Sequence, residues 1–200
     1  MTGALAPGEV TCLDRFLTAD QCAELLDDLK YAWWWTSALV HVGADGALVS
    51  DTSYRRTSRT TSEEWLSPPS VRLLRRLERR LAERVGVDPD HLEMWQATRY
   101  RRGDWFDEHH DAGFFAADPW GERTTTVLVY LDANRDGGST LFPTLGRRFQ
   151  PEPGRVLVWP NLLPDGAVDP RMRHSARPAR SVKTTLTTWA RQRPTRNSTY

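Results

Sequence analysis

His109 and Asp111 are separated by a single residue, and His174 follows far downstream in the run Arg171-Met-Arg-His174-Ser. Two neutral imidazoles and one carboxylate can cap one face of an octahedral metal ion and leave the opposite face open. That donor set suits a non-haem Fe(II) centre, which needs vacant positions for a co-substrate and for O₂. In an extended chain residues i and i+2 point to the same side, so His109 and Asp111 can reach one ion while His110 points away. The third ligand, His174, must come from a distant strand that the fold lays alongside. A single histidine in a strand is ordinarily structural, and His41 and His91 are read so. The neighbouring carboxylates Asp104, Asp107 and Glu108 are expected to be solvated.

Elements able to position such a triad are visible on both sides of it. Val10 to Leu17 reads as a strand, and Thr18-Ala-Asp-Gln21 has the form of a capping box. The helix that follows, to about Lys30, places Cys22, Leu25, Leu26 and Leu29 on one face. Strands are expected over 37–42 and 47–50, joined by a hairpin turn at Gly43-Ala-Asp-Gly46. Ser67-Pro68-Pro69 opens a second helix through about Val85, with Leu74, Leu77, Leu81 and Val85 as its buried stripe. Its other face carries Arg72, Arg75, Arg76, Arg79, Arg80 and Arg84, interrupted by Glu78 and Glu83, and is read as a solvated face.

From His91 onward the texture changes to short runs rich in Val, Thr, Leu and aromatics: 91–100, 124–132, 139–142, 155–159 and 183–191. Glycine-containing turns separate them. The expected fold is mainly β with flanking helices: a double-stranded β-helix, or jelly-roll barrel, with N-terminal helices packed outside. Residues 1–192 are expected to form one domain, with helical and strand support over 1–90 and the jelly-roll core over 91–192. Residues 193–200 are read as a flexible tail.

Bulk properties narrow the partners. Two hundred residues suffice for a sizeable core. With a formal net charge of +1, nothing global argues for a nucleic-acid or membrane partner, and neither is expected. No run of about 18 apolar residues and no charged-then-apolar leader is present, so a cytoplasmic location is expected. Cys12 and Cys22 form no close ligand pair and are read as free thiols. Lys30 and Lys183 are the only lysines against a background of arginine, so a lysine at a functional position stands out.

Four motifs in order resemble the prolyl 4-hydroxylase-like branch of the Fe(II)/2-oxoglutarate-dependent dioxygenases. Tyr100-Arg-Arg-Gly103-Asp-Trp-Phe106-Asp-Glu-His109-His-Asp111 is similar to Y-x-x-G-x-x-[YF]-x-x-H-x-D. Arg123-Thr-Thr-Thr126-Val-Leu-Val-Tyr130-Leu131 is similar to R-x-x-T-x-L-x-Y-L, and Gly137-Gly138-Ser-Thr140-Leu-Phe142-Pro143 to G-G-x-T-x-F-P. His174-Ser-Ala-Arg-Pro178 with Lys183 and Trp189 resembles H-x-x-x-P…K-x-x-x-x-x-W. The step from His174 to Lys183 is one residue shorter than the usual prolyl-hydroxylase spacing, which a tighter turn explains. Ser175-Ala-Arg177 stands where prolyl hydroxylases often carry glycines and a cysteine, a departure that bears on substrate class.

The resemblance implies an enzyme that binds Fe(II) through His109, Asp111 and His174 and uses 2-oxoglutarate and O₂ as co-substrates. It implies hydroxylation of an unactivated C–H in an amino-acid-type substrate, free or peptidyl, with 2-oxoglutarate decarboxylated to succinate. Asp111 supplies a carboxylate where related halogenases carry a small residue, so oxygen transfer is implied. The remote carboxylate of 2-oxoglutarate needs a cation in a dry pocket. Lys183 is assigned that role, with Arg180 as the fallback. Tyr100, Thr185 and Trp189 are placed beside the co-substrate, Thr185 and Trp189 by sharing the face of Lys183. Arg123 and Arg191 match positions near the substrate mouth. Trp33–Trp35, Trp105, Phe106, Phe114, Phe115 and Trp120 are expected to wall the opening, and residues 112–122 to form a lid loop. Rival readings are a nucleic-acid demethylase on the same fold, a non-catalytic metal-binding sensor, and a cupin-like Zn or Mn enzyme.

Overall fold

Thr18 caps the first helix as the sequence predicts: the Gln21 amide donates to its hydroxyl at 3.2 Å, and its own N–H donates to the Gln21 side chain at 3.0 Å. The computed structural model describes residues 5–43, 48–134 and 137–196. In chain order the first half holds β1 (Thr11–Leu13), α1 (Ala19–Asp28), β2 (Trp35–Thr36), β3 (Ala38–Val42), β4 (Leu48–Thr52), β5 (Arg59–Ser62) and α2 (Pro68–Val85). Then come β6 (Gln96–Tyr100), β7 (Phe106–His109), β8 (Arg123–Tyr130), β9 (Thr140–Phe142) and β10 (Arg147–Phe149). The last strands are β11 (Val156–Pro160), β12 (His174–Ala176) and β13 (Lys183–Arg191). The turn expected at Gly43–Gly46 falls largely outside the described residues.

Two antiparallel sheets carry the architecture. The larger has the order β1-β11-β8-β13-β6-β5-β2 and the smaller β10-β9-β12-β7, while β3 and β4 pair separately as a hairpin. Alternation along the long strands decides what lies on each face of the larger sheet. Val127, Val129, Val156, Val158, Leu186 and Ala190 join the helices in one core with Leu25, Leu29, Leu73, Leu74, Leu77, Leu81 and Trp95. Residues of opposite parity, among them Thr126, Leu128, Trp159, Lys183, Thr185, Thr187 and Trp189, face the space between the sheets. Helices therefore pack outside, and one cleft opens inside.

The basic face of α2 differs from its expected solvated state at one residue. Arg72, Arg76, Arg79, Arg80 and Arg84 are exposed. Arg75 instead bridges the buried carboxylates Glu63 and Glu78. Glu78 also accepts from Trp95 Nε1 at 2.9 Å and from Arg196 Nη1 at 2.9 Å. With Thr195 Oγ1 donating to Leu92 O at 2.5 Å, this ties residues expected to be a flexible tail onto the body as far as 196. No helix among the described residues is long and apolar enough to cross a membrane.

Candidate metal centre

Strand pairing brings the third expected ligand alongside the first. In the antiparallel ladder of β7 with β12, His109 and His174 stand directly opposite each other, their ring centroids 4.2 Å apart. Asp111 follows two residues after His109, just beyond the end of β7. One donor atom from each of the three lies within 4.8 Å of the others. His109 Nε2 is 3.8 Å from Asp111 Oδ1, and His174 Nε2 is 3.6 Å from Asp111 Oδ2.

Both imidazoles are held in the same way. His109 Nδ1 lies 2.8 Å from Asp107 O, and His174 Nδ1 lies 2.9 Å from Met172 O. A carbonyl can only accept, so each Nδ1 carries the proton and each Nε2 turns its lone pair toward Asp111. Phe106 stacks on His109 at 3.6 Å, and Trp159 and Phe142 pack against His174 at 4.9 and 5.3 Å. Burial, with the His174 ring beside it, pulls the His109 pKa down to about 3, so the ring is neutral at physiological pH. Burial pushes Asp111 up, but His174, His109, Arg123 and the Thr126 hydroxyl outweigh it and keep the carboxylate ionised. Thr126 Oγ1 donates to Asp111 Oδ2 at 2.8 Å and accepts from Asn161 Nδ2 at 2.9 Å, fixing the carboxylate's rotation. Two imidazoles and one oriented carboxylate fit a divalent iron and leave positions open to the cleft.

The cleft beside the triad has a volume of about 1250 Å³. Lys183 lies in its wall, 1% exposed, registered opposite Tyr100 across β13 and β6. Its Nζ donates to Gly138 O at 2.8 Å and sits 4.3 Å from the Tyr100 ring centre. Burial pulls its pKa down to about 7, against the opposing field of Asp132. Gly138 has φ +64°, and a Cβ there would stand 3.1 Å from Lys183 Cδ, so this glycine makes room for the ammonium stem. Thr185, Tyr100 and Trp189 line the same cleft. Arg180 is exposed and lies outside the cleft lining.

The two arginines assigned to the substrate mouth part company. Arg123 lines the cleft, but its Nε and Nη2 each donate to Glu93 at 2.7 Å, and it is layered between Trp189 at 3.7 Å and Phe115 at 4.4 Å. Arg191 is not among the lining residues. The ladder shifts register between Ala190 and Arg191, and Arg191 is buried behind Phe115, paired with Asp118 at 2.9 Å. This bulge breaks the alternation that would carry Arg191 onto the face of Lys183. Of the expected aromatic wall, Trp35, Phe106, Phe114 and Phe115 line the cleft. His110 and His41 line it as well, although neither was assigned a role there.

Sequence reasoning gave no role to Thr126, Asn161, Glu93 or Arg56. Thr126 could have been found, since it is the threonine of the Arg123-x-x-Thr126 motif. Arg56 carries no signal of its own in so arginine-rich a chain.

Residues 95–191 match the model of the 2OG-Fe(II) oxygenase superfamily. The chain is 31% identical over 147 residues to prolyl 4-hydroxylase subunit alpha-1 of Gallus gallus, covering 70% of this chain and 28% of that one. It is 25% identical over 199 residues to probable prolyl 4-hydroxylase 3 of Arabidopsis thaliana, covering 88% of this chain and 66% of the relative. The chain thus spans less than two thirds of the length of these relatives. The crystal structure of the viral collagen prolyl hydroxylase from Paramecium Bursaria Chlorella virus-1 superposes with a TM-score of 0.66 at 21% identity, over 91% of this chain and 95% of that one. That likeness bears on the fold, and agrees with the expected jelly roll. With a His-Asp-His triad converging in the matched segment, the chain belongs to the 2OG-Fe(II) oxygenase superfamily, on its prolyl 4-hydroxylase-like side.

Proposed function

We propose that this protein is an Fe(II)- and 2-oxoglutarate-dependent hydroxylase acting on a saturated C–H of a proline-type or other amino-acid-type substrate. The observation that carries this is the meeting of His109, Asp111 and His174 in the same cleft as a buried ammonium, Lys183. His109 and His174 would hold the metal through Nε2 and Asp111 through a carboxylate oxygen. When bound, the iron and 2-oxoglutarate supply the oxidising power: one O₂ is consumed, one oxygen atom enters the substrate and the other enters succinate, with release of CO₂.

The protein's own part is binding and exclusion. Lys183 receives the remote carboxylate of the co-substrate: its ammonium has one backbone acceptor among the described residues, Gly138 O, and three N–H groups to satisfy. Thr185, Tyr100 and Trp189 wall that end of the cleft. Phe106, Phe114 and Phe115 present an apolar surface that limits water at the reacting end. Arg123, locked to Glu93, holds Trp189 and Phe115 in register and so shapes the mouth, with Arg191 supporting it from behind.

A nucleic-acid substrate is not favoured: the arginine stripe of α2 lies on the helical side of the larger sheet, away from the cleft. A reducing, cytoplasmic setting suits Cys12 and Cys22, both free. The test is anaerobic addition of Fe(II) and then 2-oxoglutarate. A visible metal-to-ligand charge-transfer band is expected, followed in air by succinate formation that depends on the amino-acid-type substrate. No band and no succinate would refute the proposal.

A further inference from the structure

The outer supports of Asp111 and His174 converge on one buried carboxylate. Asn161 donates to Thr126, which holds Asp111, and the Met172 carbonyl accepts from His174 Nδ1. Asp169 touches both supports. Its N–H donates to Asn161 O at 2.9 Å, closing the base of a small hairpin in which Leu162 bridges Val168. Its carbonyl accepts from the Met172 N–H at 3.0 Å, closing the one-turn helix Pro170–Met172. Its side chain holds the same turn from the other end, with Oδ1 accepting the Arg171 N–H at 3.0 Å.

Helix capping alone would place an aspartate here. It does not account for the rest of the surroundings. Asp169 is 0% exposed, and the half-exposed Arg171 folds back over it, Nε donating to Oδ1 at 2.8 Å and Nη2 to Oδ2 at 2.7 Å. The Gly8 N–H, from the N-terminal segment, donates to the same carboxylate. Gly8 has φ +81°, and a Cβ there would collide with the Arg171 guanidinium, so the segment and the turn are closely fitted. Both carboxylate oxygens are thus taken by donors from two parts of the chain. Charge-assisted bonds of this kind fix a carboxylate's rotation, and moving the turn would break several of them together.

We propose that Asp169 is a positioning residue for the metal centre: it locks the loop 161–172 so that Asn161 and the Met172 carbonyl keep one spacing, and through them Asp111 and His174. The inference rests on the reading of the triad as the iron centre, and it adds a residue that touches none of the ligands. With the lock in place, the carboxylate and the distal imidazole are arranged before the metal arrives. Without it, the Asn161 amide and the Met172 carbonyl shift independently, and each ligand loses the partner that orients it. His109, whose Nδ1 is held by Asp107 O, lies outside the lock.

The test is anaerobic calorimetric titration of Fe(II), and of Co(II) as a spectroscopic probe, into the full chain and its variants well below Tm. Asp169→Ala is expected to bind both metals about 10-fold or more weakly, with altered visible bands in the Co(II) protein. Asp169→Asn keeps the capping acceptor and should recover most of that loss, to within about 3-fold of wild type. A residue that served folding alone would lower Tm yet leave the metal affinity of the folded protein and the Co(II) spectrum unchanged; that result overturns the inference. Losses of equal size in the two Asp169 variants overturn it as well. Should Asp169→Ala not fold, Arg171→Met opens the same lock from the surface and is expected to weaken both metals by about 3-fold or more. Unchanged affinity in that variant has the same overturning force. Failure of the iron reading would show separately, as a wild-type protein that binds neither metal.

Discussion

Replacing Lys183 by methionine separates co-substrate anchoring from metal binding. The side chain is 1% exposed, and among the described residues its polar contact is Gly138 O at 2.8 Å. Methionine fills similar volume against the Tyr100 ring, so the apo fold should tolerate it. Removing an unfavourably buried ammonium is neutral or stabilising in such settings. The bound state is different, because the variant leaves the remote carboxylate of 2-oxoglutarate buried without a partner. Breaking a buried charge pair costs about 3–5 kcal/mol, which is about 10²- to 4 × 10³-fold in affinity. The assay is an anaerobic titration of 2-oxoglutarate into the Fe(II)-loaded protein, beside a metal titration without it. Lys183→Met should weaken 2-oxoglutarate by that factor, leave metal affinity within about 3-fold, and not lower Tm. A loss of less than about 10-fold, or an equal loss of metal, would refute the anchor role.

Other consequences follow from the same geometry. The ordinary lysine pKa is about 10.4, and that of Lys183 is pulled to about 7, so between these values the unfolded chain holds more protons than the folded one. Apo stability should therefore rise with pH from about 7 to 10, relative to Lys183→Met, in chemical denaturation. Binding an anion restores the proton, so 2-oxoglutarate affinity should fall as pH rises above about 7; a flat profile would contradict the assignment. Gly138→Ala places a Cβ at φ +64° and 3.1 Å from Lys183 Cδ. It should lower Tm by about 2–8 °C by calorimetry and weaken 2-oxoglutarate more than it weakens metal. Thr126→Val removes the hydroxyl that orients Asp111 while keeping its shape. A metal titration should show about 10- to 100-fold weaker binding, and Tm should fall by a few degrees because the buried Asn161 amide loses its acceptor.

How far the site could be read from residue order depends on the range of each interaction. His109 and Asp111 are local, and their common side follows from extended backbone. Lys183, Thr185 and Trp189 follow from period two along β13, which begins and ends where the sequence places it. The direct opposition of His174 to His109 is a register between segments 65 positions apart, and no local pattern encodes it. Strand β7 escaped notice because Phe106-Asp-Glu-His109 is polar, and all four of its residues line the cleft rather than a core. Strands β5 and β10 are short, and their run of Thr or Arg lacks the alternation that marks a strand. Arg191 shows the opposite failure: alternation held to Ala190 and a bulge then turned the next side chain away.

The most direct measurement is anomalous diffraction at the iron edge from crystals grown with Fe(II) under anaerobic conditions. A single peak is predicted at about 2.0–2.2 Å from Nε2 of both His109 and His174 and from one oxygen of Asp111. A peak bound elsewhere, or reached through Nδ1 of either ring, would contradict the account of this centre.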